Sequence, residues 1–180
     1  MPPPGLRIRP AVPQDNHSKQ RVVDAAWISG HGHLFPRSVE RLLRGERPEE
    51  TFSYEYPRDK GIPIVADIRG QVVGVIDLRP LPDGSLLIEP IAVDPAFQRH
   101  RVGSELWKAA ETLARRRDYR ALVVWAVDGN KKAQGFYASQ GCTPFASGKV
   151  MFDGVEATAT GYRLDLAQPA GMTPLNVDIQ

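Results

Sequence analysis

The feature that most constrains the fold is a strand, a helix and a second strand between residues 85 and 127. The run "SLLIEPIAV" is rich in apolar and β-branched residues, and "RALVVWAV" is continuously apolar, as in strands buried on both faces. Between them Leu106, Ala109, Ala110, Leu113 and Ala114 recur at spacings of three and four, which predicts an amphipathic helix. Since two strands joined through a helix run parallel, we predict a βαβ unit.

The residues before this unit predict helices and an antiparallel meander. "LRIR" is typical of a short first strand, and helices are expected over about 14–29 and 37–44. "IPIVADI" and "QVVGVIDLRPL" predict two strands that pair with "SLLIEPIAV" through hairpin turns at Arg69-Gly70 and Asp83-Gly84.

The residues after the unit predict one helix and a final hairpin. Asp128 can cap a helix from Asn130 to Gln140, with Gly141 at its C-terminal end. "TPFASGKVMF" and "VEATATGYRLDL" then flank a turn at Asp153-Gly154. We expect a mixed α+β domain: a mostly antiparallel sheet of about seven strands with a central parallel pair, flanked by about four helices.

Length and composition exclude several classes of protein. A chain of 180 residues fits one domain over 1–180, with flexible tails at 1–5 and 167–180. A net charge of +2 with interspersed signs argues against a nucleic-acid partner. One cysteine and four scattered histidines predict neither a disulfide nor a metal site, and hence a reducing cytoplasm. The chain shows no apolar signal core or run of membrane-spanning length, so no membrane partner is expected.

The stretch "FQRHRVGS" combines basic residues with the start of the central helix. Free amides and the helix dipole at such a position favour an anion, and Gly103 permits close approach of the backbone. The spacing matches neither the P-loop nor the dinucleotide-binding fingerprint. The alternative is a solvated, basic helix entrance without a ligand.

A second stretch, "NKKAQGFYASQGC", places Asn130, Ala133 and Tyr137 near one helical face. Both stretches follow neighbouring parallel strands, so both helices should begin at the same edge of the sheet and could hold one elongated ligand. The alternative assigns Phe136 and Tyr137 to the core and makes Asn130 an ordinary first-turn residue.

Together these stretches resemble the GNAT superfamily of acyl-CoA-dependent N-acetyltransferases, of the small-molecule bacterial type. "IAVDPAFQRHRVGSELW" is similar to its motif A, V-x-P-x-x-(R/Q)-x-x-G-x-(G/A), and "NKKAQGFYASQGC" to its motif B, N-x-x-A-x-x-F-Y-x-x-x-G-F. The resemblance follows the element order over residues 6–166 and is strongest over 89–142.

The resemblance implies acetyl-CoA as co-substrate. Amides from Arg99 to Ser104 would wrap its pyrophosphate, the strand edge around Ile91 and Val93 would bond the pantetheine arm, and Asn130 would contact the arm or the nucleotide. The implied cofactor-binding residues are Ile91, Ala92, Val93, Gln98, Arg99, His100, Arg101, Val102, Gly103, Ser104, Asn130 and Tyr137.

Two residues depart from the family pattern. Arg101 replaces the first glycine of motif A, so either it adopts an ordinary negative φ, which we expect, or the loop has a different shape; a further hypothesis is that Arg101 adds charge near a CoA phosphate. Cys142 replaces the phenylalanine after Gly141, and we expect a buried, inert thiol.

Acetyl transfer to an amine calls for a base and a proton donor. Glu89 is the candidate base, since regular alternation places it on one face with Ile91 and Val93, and Pro90 beside it predicts a bulge or splayed edge. The alternative for Glu89 is a surface ion pair. An amide near Ile91 would serve as oxyanion donor, and Tyr137 would lie near the thioester sulfur and donate a proton or a hydrogen bond to it.

The acceptor should lie against the first two helices and the final hairpin. The aromatic and histidine residues of that region are Trp27, His31, His33, Phe35, Tyr54 and Tyr56; they could wall a small pocket, although Trp27 on an amphipathic helix is more typical of core. We expect a small-molecule primary amine such as a polyamine, an amino acid or an antibiotic. Acetylation of protein N-termini or lysines and acyl-CoA sensing without turnover are the alternatives, and a monomer and a homodimer both stay open.

Overall fold

A computed structural model describes residues 1–54 and 61–166, and the expectations for Tyr56 and the tail at 167–180 lie outside these ranges. The described ranges contain four α-helices and eight strands. The helices are α1 (Asn16–His31), α2 (Pro36–Leu43), α3 (Val102–Arg116) and α4 (Lys131–Ser139), and the strands are β1 (Leu6–Pro10), β2 (Glu50–Phe52), β3 (Ile62–Ile68), β4 (Gln71–Pro80), β5 (Leu86–Val93), β6 (Ala121–Val127), β7 (Thr143–Phe152) and β8 (Val155–Asp165).

The described strands form one sheet in the order β1-β3-β4-β5-β6-β8-β7-β2. Only β5 and β6 are parallel within it, which confirms the predicted βαβ unit and the mixed α+β class. The sheet has one strand more than predicted, because β2 is three residues long and too short to show an alternating pattern. It pairs with β7 at the sheet edge.

Turn chemistry sets the hairpin positions. Arg69-Gly70 and Asp153-Gly154 both have positive φ at each residue, and Gly84 has φ of 84° in the turn between β4 and β5. Gly adopts positive φ freely and Asp does so less readily, whereas Arg69 takes this conformation in a turn that Gly70 completes; the turns end each strand where predicted.

The sheet carries helices on both faces. Helices α3 and α4 cover one face, where Leu106, Trp107 and Ala110 are fully buried against β-strand residues such as Ile76 and Leu122. Helix α1 lies on the other face and inserts Val22 into a separate apolar cluster. None of the helices in 1–54 and 61–166 combines the length and apolar character that crossing a membrane requires.

A polar cluster joins α2 to the turn between β7 and β8. The buried Asp153 carboxylate accepts hydrogen bonds from Ser38 Oγ at 2.5 Å, from Arg41 Nη1 at 2.9 Å and from the amide of Glu49 at 3.0 Å. Because a buried carboxylate needs partners, these contacts determine where α2 rests on the final hairpin.

Candidate active site

The site forms where the two parallel strands separate. Strands β5 and β6 pair only over Leu86–Ile88 with Leu122–Val124, so no described strand pairs with that edge of β5 beyond Ile88. On its other edge β5 continues to pair with β4. A register shift between these two strands places both Glu89 and Pro90 opposite the single residue Asp77. The bulge and the splayed edge predicted at Pro90 are therefore both present.

The bulge also changes the predicted face of Glu89. Ile88, Ile91 and Val93 all pack on the cluster beneath α3, which uninterrupted alternation could not produce. The expectation that Glu89 simply continues the face of Ile91 and Val93 is therefore wrong, because the bulge adds one residue to β5 and sets two residues opposite one.

A cleft of about 370 Å³ lies at the open edge between the starts of α3 and α4. We call it the basic cleft; its principal lining residues are Gln98, Arg99, Arg101, Val102, Gly103, Ser104, Lys132 and Phe136, together with Ile91, Ala92, Val93, Asn130 and Tyr137. The predicted convergence of the two helix starts on one site is thus present. His100 is exposed and does not line the cleft; its Nδ1 lies 2.8 Å from the carbonyl oxygen of Gln98.

The start of α3 offers hydrogen-bond donors to this cleft. Within the described residues, the amides of Val102, Gly103 and Ser104 have no acceptor, and the first helical bond runs from the Glu105 amide to the Arg101 carbonyl at 3.0 Å. A Cβ added at Gly103 would lie 3.5 Å from the Phe136 ring, in ordinary contact, and would narrow the cleft. Three free amides beside two arginines form a surface suited to an anionic group.

The backbone at Arg101 differs from expectation. Arg101 has φ of 61° and ψ of 11°, in the left-handed region, and Arg99 has φ of 65°. The expected negative φ at Arg101 is therefore wrong. The chain retains the turn for which a glycine is the usual choice, so the arginine adopts a conformation that costs an L-residue roughly 1–2 kcal/mol.

Helix α4 is capped by Asn130, whose Oδ1 accepts a hydrogen bond from the Ala133 amide at 3.2 Å. The predicted cap at Asp128 is wrong, because that carboxylate instead accepts bonds from the hydroxyls of Thr158 at 2.6 Å and Thr160 at 2.8 Å on β8. The cross-strand hydroxyls compete successfully for Asp128 and leave the cap to the next side chain with a suitable oxygen.

A side chain from α1 completes the bonding of Asn130. His31 Nδ1 lies 3.3 Å from the carbonyl oxygen of Trp27, so the ring donates there, and its Nε2 accepts from Asn130 Nδ2 at 3.3 Å. Burial lowers the pKa of His31 to about 4, which keeps the ring neutral. Gly30 permits this approach, since a Cβ there would lie 2.9 Å from Asn130 Nδ2.

A second cavity, of about 680 Å³, adjoins the basic cleft on the side of α1. We call it the aromatic cavity; it is lined by Trp27, Phe52, Tyr54, Trp125 and Phe152, by Asp24, His31, Arg47, Glu50 and Glu89, and by residues that it shares with the basic cleft, among them Ile91, Asn130 and Tyr137.

The described residues that were expected to wall the pocket for the acceptor amine divide into three groups. Trp27, His31 and Tyr54 line the aromatic cavity, whereas Phe35 is 1% exposed in the core and His33 points to solvent. The sequence analysis missed Phe52, Trp125 and Phe152 as lining residues. Trp125 and Phe152 lie on strands whose apolar pattern indicated only burial, whereas Phe52 lies on β2, which was not predicted as a strand. No signal in the sequence marked any of the three as lining a cavity.

Glu89 and Tyr137 lie close enough to influence each other. Burial, and after it the charge of Glu89, raises the pKa of the Tyr137 hydroxyl well above its usual value. Burial and the same carboxylate also raise the pKa of Tyr54. Tyr137 is therefore a neutral phenol at physiological pH, within electrostatic reach of a carboxylate and at the junction of two cavities.

Cys142 is 6% exposed, and burial raises the pKa of its thiol to about 11. The expected buried, unreactive thiol is confirmed. Among residues 1–54 and 61–166 no group of three His, Cys, Asp or Glu side chains is arranged to hold a metal ion.

Comparison with solved structures shows similar folds of similar size. A GNAT-family protein from Desulfovibrio desulfuricans aligns with a TM-score of 0.66 and 21% identity, over 90% of this chain and 99% of that chain. A Bacillus anthracis protein proposed to be a streptothricin acetyltransferase, solved with acetyl coenzyme A, gives 0.62 and 16% over 89% and 99%. The ribosomal-protein-S18-alanine N-acetyltransferase of Escherichia coli gives 0.61 and 18% over 97% and 99%. At these identities the likeness establishes the fold.

Sequence comparison supplies the family. No curated protein sequence matches the chain significantly. The family model of the acetyltransferase (GNAT) family matches residues 33–142, more than half of the chain, and this range includes both helix starts at the basic cleft. The chain therefore belongs to the acetyltransferase (GNAT) family.

Proposed function

We propose that the protein transfers the acetyl group of acetyl-CoA to a primary amine of a small molecule. The observation that carries this proposal is the junction of the basic cleft and the aromatic cavity at the opened edge of β5, where Asn130 and Tyr137 line both. A donor in the cleft and an acceptor in the cavity would meet there. Family membership and the acetyl-CoA complex of the Bacillus anthracis structure support this donor.

The basic cleft fits the anionic part of such a donor. The unbonded amides of Val102, Gly103 and Ser104 would hold pyrophosphate oxygens, and Arg99 and Arg101 would add positive charge. The unpaired edge of β5 would bond the amides of an extended arm. When bound, acetyl-CoA supplies an acyl group activated as a thioester.

Glu89 would remove the proton of the attacking amine, directly or through a water molecule. Aliphatic amines have pKa values near 10.4 and are mostly charged at neutral pH, so a carboxylate that lines the aromatic cavity both attracts the amine and accepts its proton. The backbone amide of Ile91, two residues away, would donate to the thioester carbonyl oxygen.

Tyr137 would act on the departing sulfur as a hydrogen-bond donor. Ordinary phenol and thiol pKa values lie near 10 and 8.5, so complete proton transfer from phenol to thiolate is already uphill, and the raised pKa of Tyr137 widens the gap. A hydrogen bond to a charged group contributes roughly 1.5–3 kcal/mol, or about 10- to 150-fold in rate.

The volume of the aromatic cavity favours a small acceptor over a protein chain. A volume of about 680 Å³ lies within the usual range for small-molecule sites. The Escherichia coli enzyme of the same fold acts on a ribosomal protein. A peptide acceptor is therefore one arm of the test.

The test measures acetyl-CoA binding by calorimetry and free-thiol release with amines and peptides. We expect binding, and turnover with at least one small primary amine. Tyr137→Phe should lower kcat about 10- to 100-fold with little change in acetyl-CoA affinity. Tyr162→Phe is the matched control, because that buried ring packs against Tyr137 at 5.9 Å and lines neither cavity.

Three results would contradict the proposal, and a fourth would contradict the role of Glu89. Absence of acetyl-CoA binding by folded protein refutes it altogether. Tight binding without turnover of any amine or peptide favours a sensor, and turnover of peptides alone favours a protein acetyltransferase. A Glu89→Gln variant that kept its full rate from about pH 6 to about pH 9 would remove Glu89 as the base.

A further inference from the structure

Aromatic rings from four elements form one continuous wall of the aromatic cavity. Tyr54 stacks on Trp125 with ring centroids 3.9 Å apart and planes 5° from parallel. Phe52 lies 5.3 Å from Tyr54 and 6.1 Å from Phe152, and Trp27 lies 5.3 Å from Phe152. Rings at these separations attract one another through offset and edge contacts, so they form one connected surface.

Part of this wall is not covered by protein. Trp27, Phe52, Tyr54 and Trp125 are only partly buried, whereas Phe35 behind them is 1% exposed and lines no part of the cavity. Clustered apolar surface that stays accessible inside a cavity marks a place where a ligand binds.

Two glycines on the neighbouring strands leave space for the Trp125 ring to stack on Tyr54. A Cβ added at Gly148 would come within 3.1 Å of the Trp125 ring and 2.9 Å of Tyr54, and one added at Gly161 would lie 3.0 Å from Trp125. The contact of 2.9 Å with Tyr54 is too short for a Cβ atom, and those with Trp125 are tight enough that the ring would have to shift by a few tenths of an ångström. Gly148 on β7 and Gly161 on β8 therefore leave room for the stacked pair.

Among the described residues that line the cavity, three carboxylates (Asp24, Glu50 and Glu89) outnumber one guanidinium (Arg47), a balance that favours a cation without an acidic group. Glu89 and Glu50 lie near Tyr54, whose pKa both carboxylates help to raise after the larger effect of burial. Among the described lining residues the basic groups are Arg47, held by the Asp24 carboxylate through bonds of 2.9 and 2.8 Å, and His31, which is neutral. A carboxylate or phosphate on the acceptor would meet an arginine that is already paired.

We propose that the acceptor is a primary amine joined by a short chain to a planar aromatic ring and lacking an acidic substituent. This inference rests on the proposed function. The ring would pack on the wall of Tyr54, Trp125 and Phe52, and the ammonium group would point toward Glu89 in the aromatic cavity and toward the junction with the basic cleft.

The test compares kcat/KM for matched amines with acetyl-CoA as donor. The probes are 2-phenylethylamine, 2-cyclohexylethylamine, phenylalanine and putrescine. We expect 2-phenylethylamine to exceed the cyclohexyl compound by about 3- to 10-fold, since aromatic pairs contribute beyond their buried area. The kcat/KM for phenylalanine should be lower than that for 2-phenylethylamine by roughly 10-fold or more, because its carboxylate would lose its hydration without gaining an unpaired basic group as a partner.

Variants then assign the preference to the wall. Tyr54→Ala should lower kcat/KM for 2-phenylethylamine by about 10-fold and that for putrescine by much less, so that the ratio of the two values falls about 5-fold or more. Tyr54→Leu serves as a second variant that keeps apolar volume. Phe145→Ala is the control: the exposed Phe145 ring contacts Trp125 at 5.9 Å but does not line the cavity, so both amines should keep their rates.

Failure of this inference differs from failure of the proposed function. Turnover of putrescine or phenylalanine equal to that of 2-phenylethylamine would overturn the aromatic class while leaving the enzyme an amine acetyltransferase. An equal effect of Tyr54→Ala on both amines would also overturn it. Acetyl-CoA binding without turnover of any amine would refute both.

Discussion

Substitution of Arg101 by glycine is predicted to stabilise the free protein. Arg101 is exposed at the start of α3 with φ of 61°, a conformation that costs an L-residue roughly 1–2 kcal/mol. Glycine avoids this cost but gains freedom in the unfolded chain, which offsets about 0.4–1 kcal/mol. The difference predicts a free energy of unfolding higher by about 0.5–1 kcal/mol, or a Tm higher by about 1–4 °C.

The same substitution should weaken acetyl-CoA binding. Arg101 lines the basic cleft, and an exposed charged contact contributes about 0.2–1 kcal/mol, which corresponds to a loss of affinity of up to about fivefold. The loss should be greatest at low ionic strength, because salt screens exposed charges. Arg101→Gly therefore raises stability and lowers affinity together.

Urea unfolding measures the first effect and calorimetry between roughly 50 and 500 mM salt measures the second. Asp118→Gly is the backbone control, because Asp118 has φ of 58° at the far end of α3 and lies outside the cleft; it should stabilise the protein without changing affinity. Arg101→Lys is a second control, because lysine keeps the positive charge and also the free-energy cost of a positive φ. Destabilisation by Arg101→Gly, or affinity equal to the parent at every salt concentration, would refute the reasoning.

Three further substitutions test the core, the polar cluster and the contact between α1 and α4. Leu106→Ala should cost about 2–5 kcal/mol in urea unfolding, because Leu106 is 0% exposed, and a loss below about 1 kcal/mol would contradict this packing. Burial would raise the pKa of Asp153, but hydrogen bonds led by that from Ser38 outweigh it and hold the pKa below its usual value. The stabilisation by the Asp153 carboxylate is therefore complete above its unfolded pKa, near 3.9, and is lost as pH falls through the folded pKa. Asp153→Asn should lower the free energy of unfolding by about 1–3 kcal/mol at neutral pH and should reduce the loss of stability that acid causes. His31→Ala removes an acceptor of Asn130 and should raise the KM for acetyl-CoA about 3- to 10-fold with a smaller change in kcat; an unchanged KM would show that Asn130 needs no such partner.

Local rules predicted most elements. The period of the apolar residues located α3, and turn residues such as Arg69-Gly70 located the hairpins. The errors arise where distant groups compete. Asp128 bonds to threonines about 30 residues away instead of capping α4, and Arg101 keeps a left-handed turn that its side chain disfavours.

The candidate site was predicted only in part. The motifs placed the starts of α3 and α4 together, because parallel strands bring the helices that follow them to one edge. They carried no information on Trp125 or Phe152, since an apolar strand residue looks the same in sequence whether it faces core or cavity.

The amino-acid sequence by itself determined the βαβ unit, the turn positions and the family, because each depends on residues that are close along the chain. Only the tertiary structure decided where β5 and β6 part, which rings wall the aromatic cavity, and that His31 bonds to Asn130. Those features depend on groups up to about a hundred residues apart, whose meeting results from packing the whole chain at once and not from any local preference.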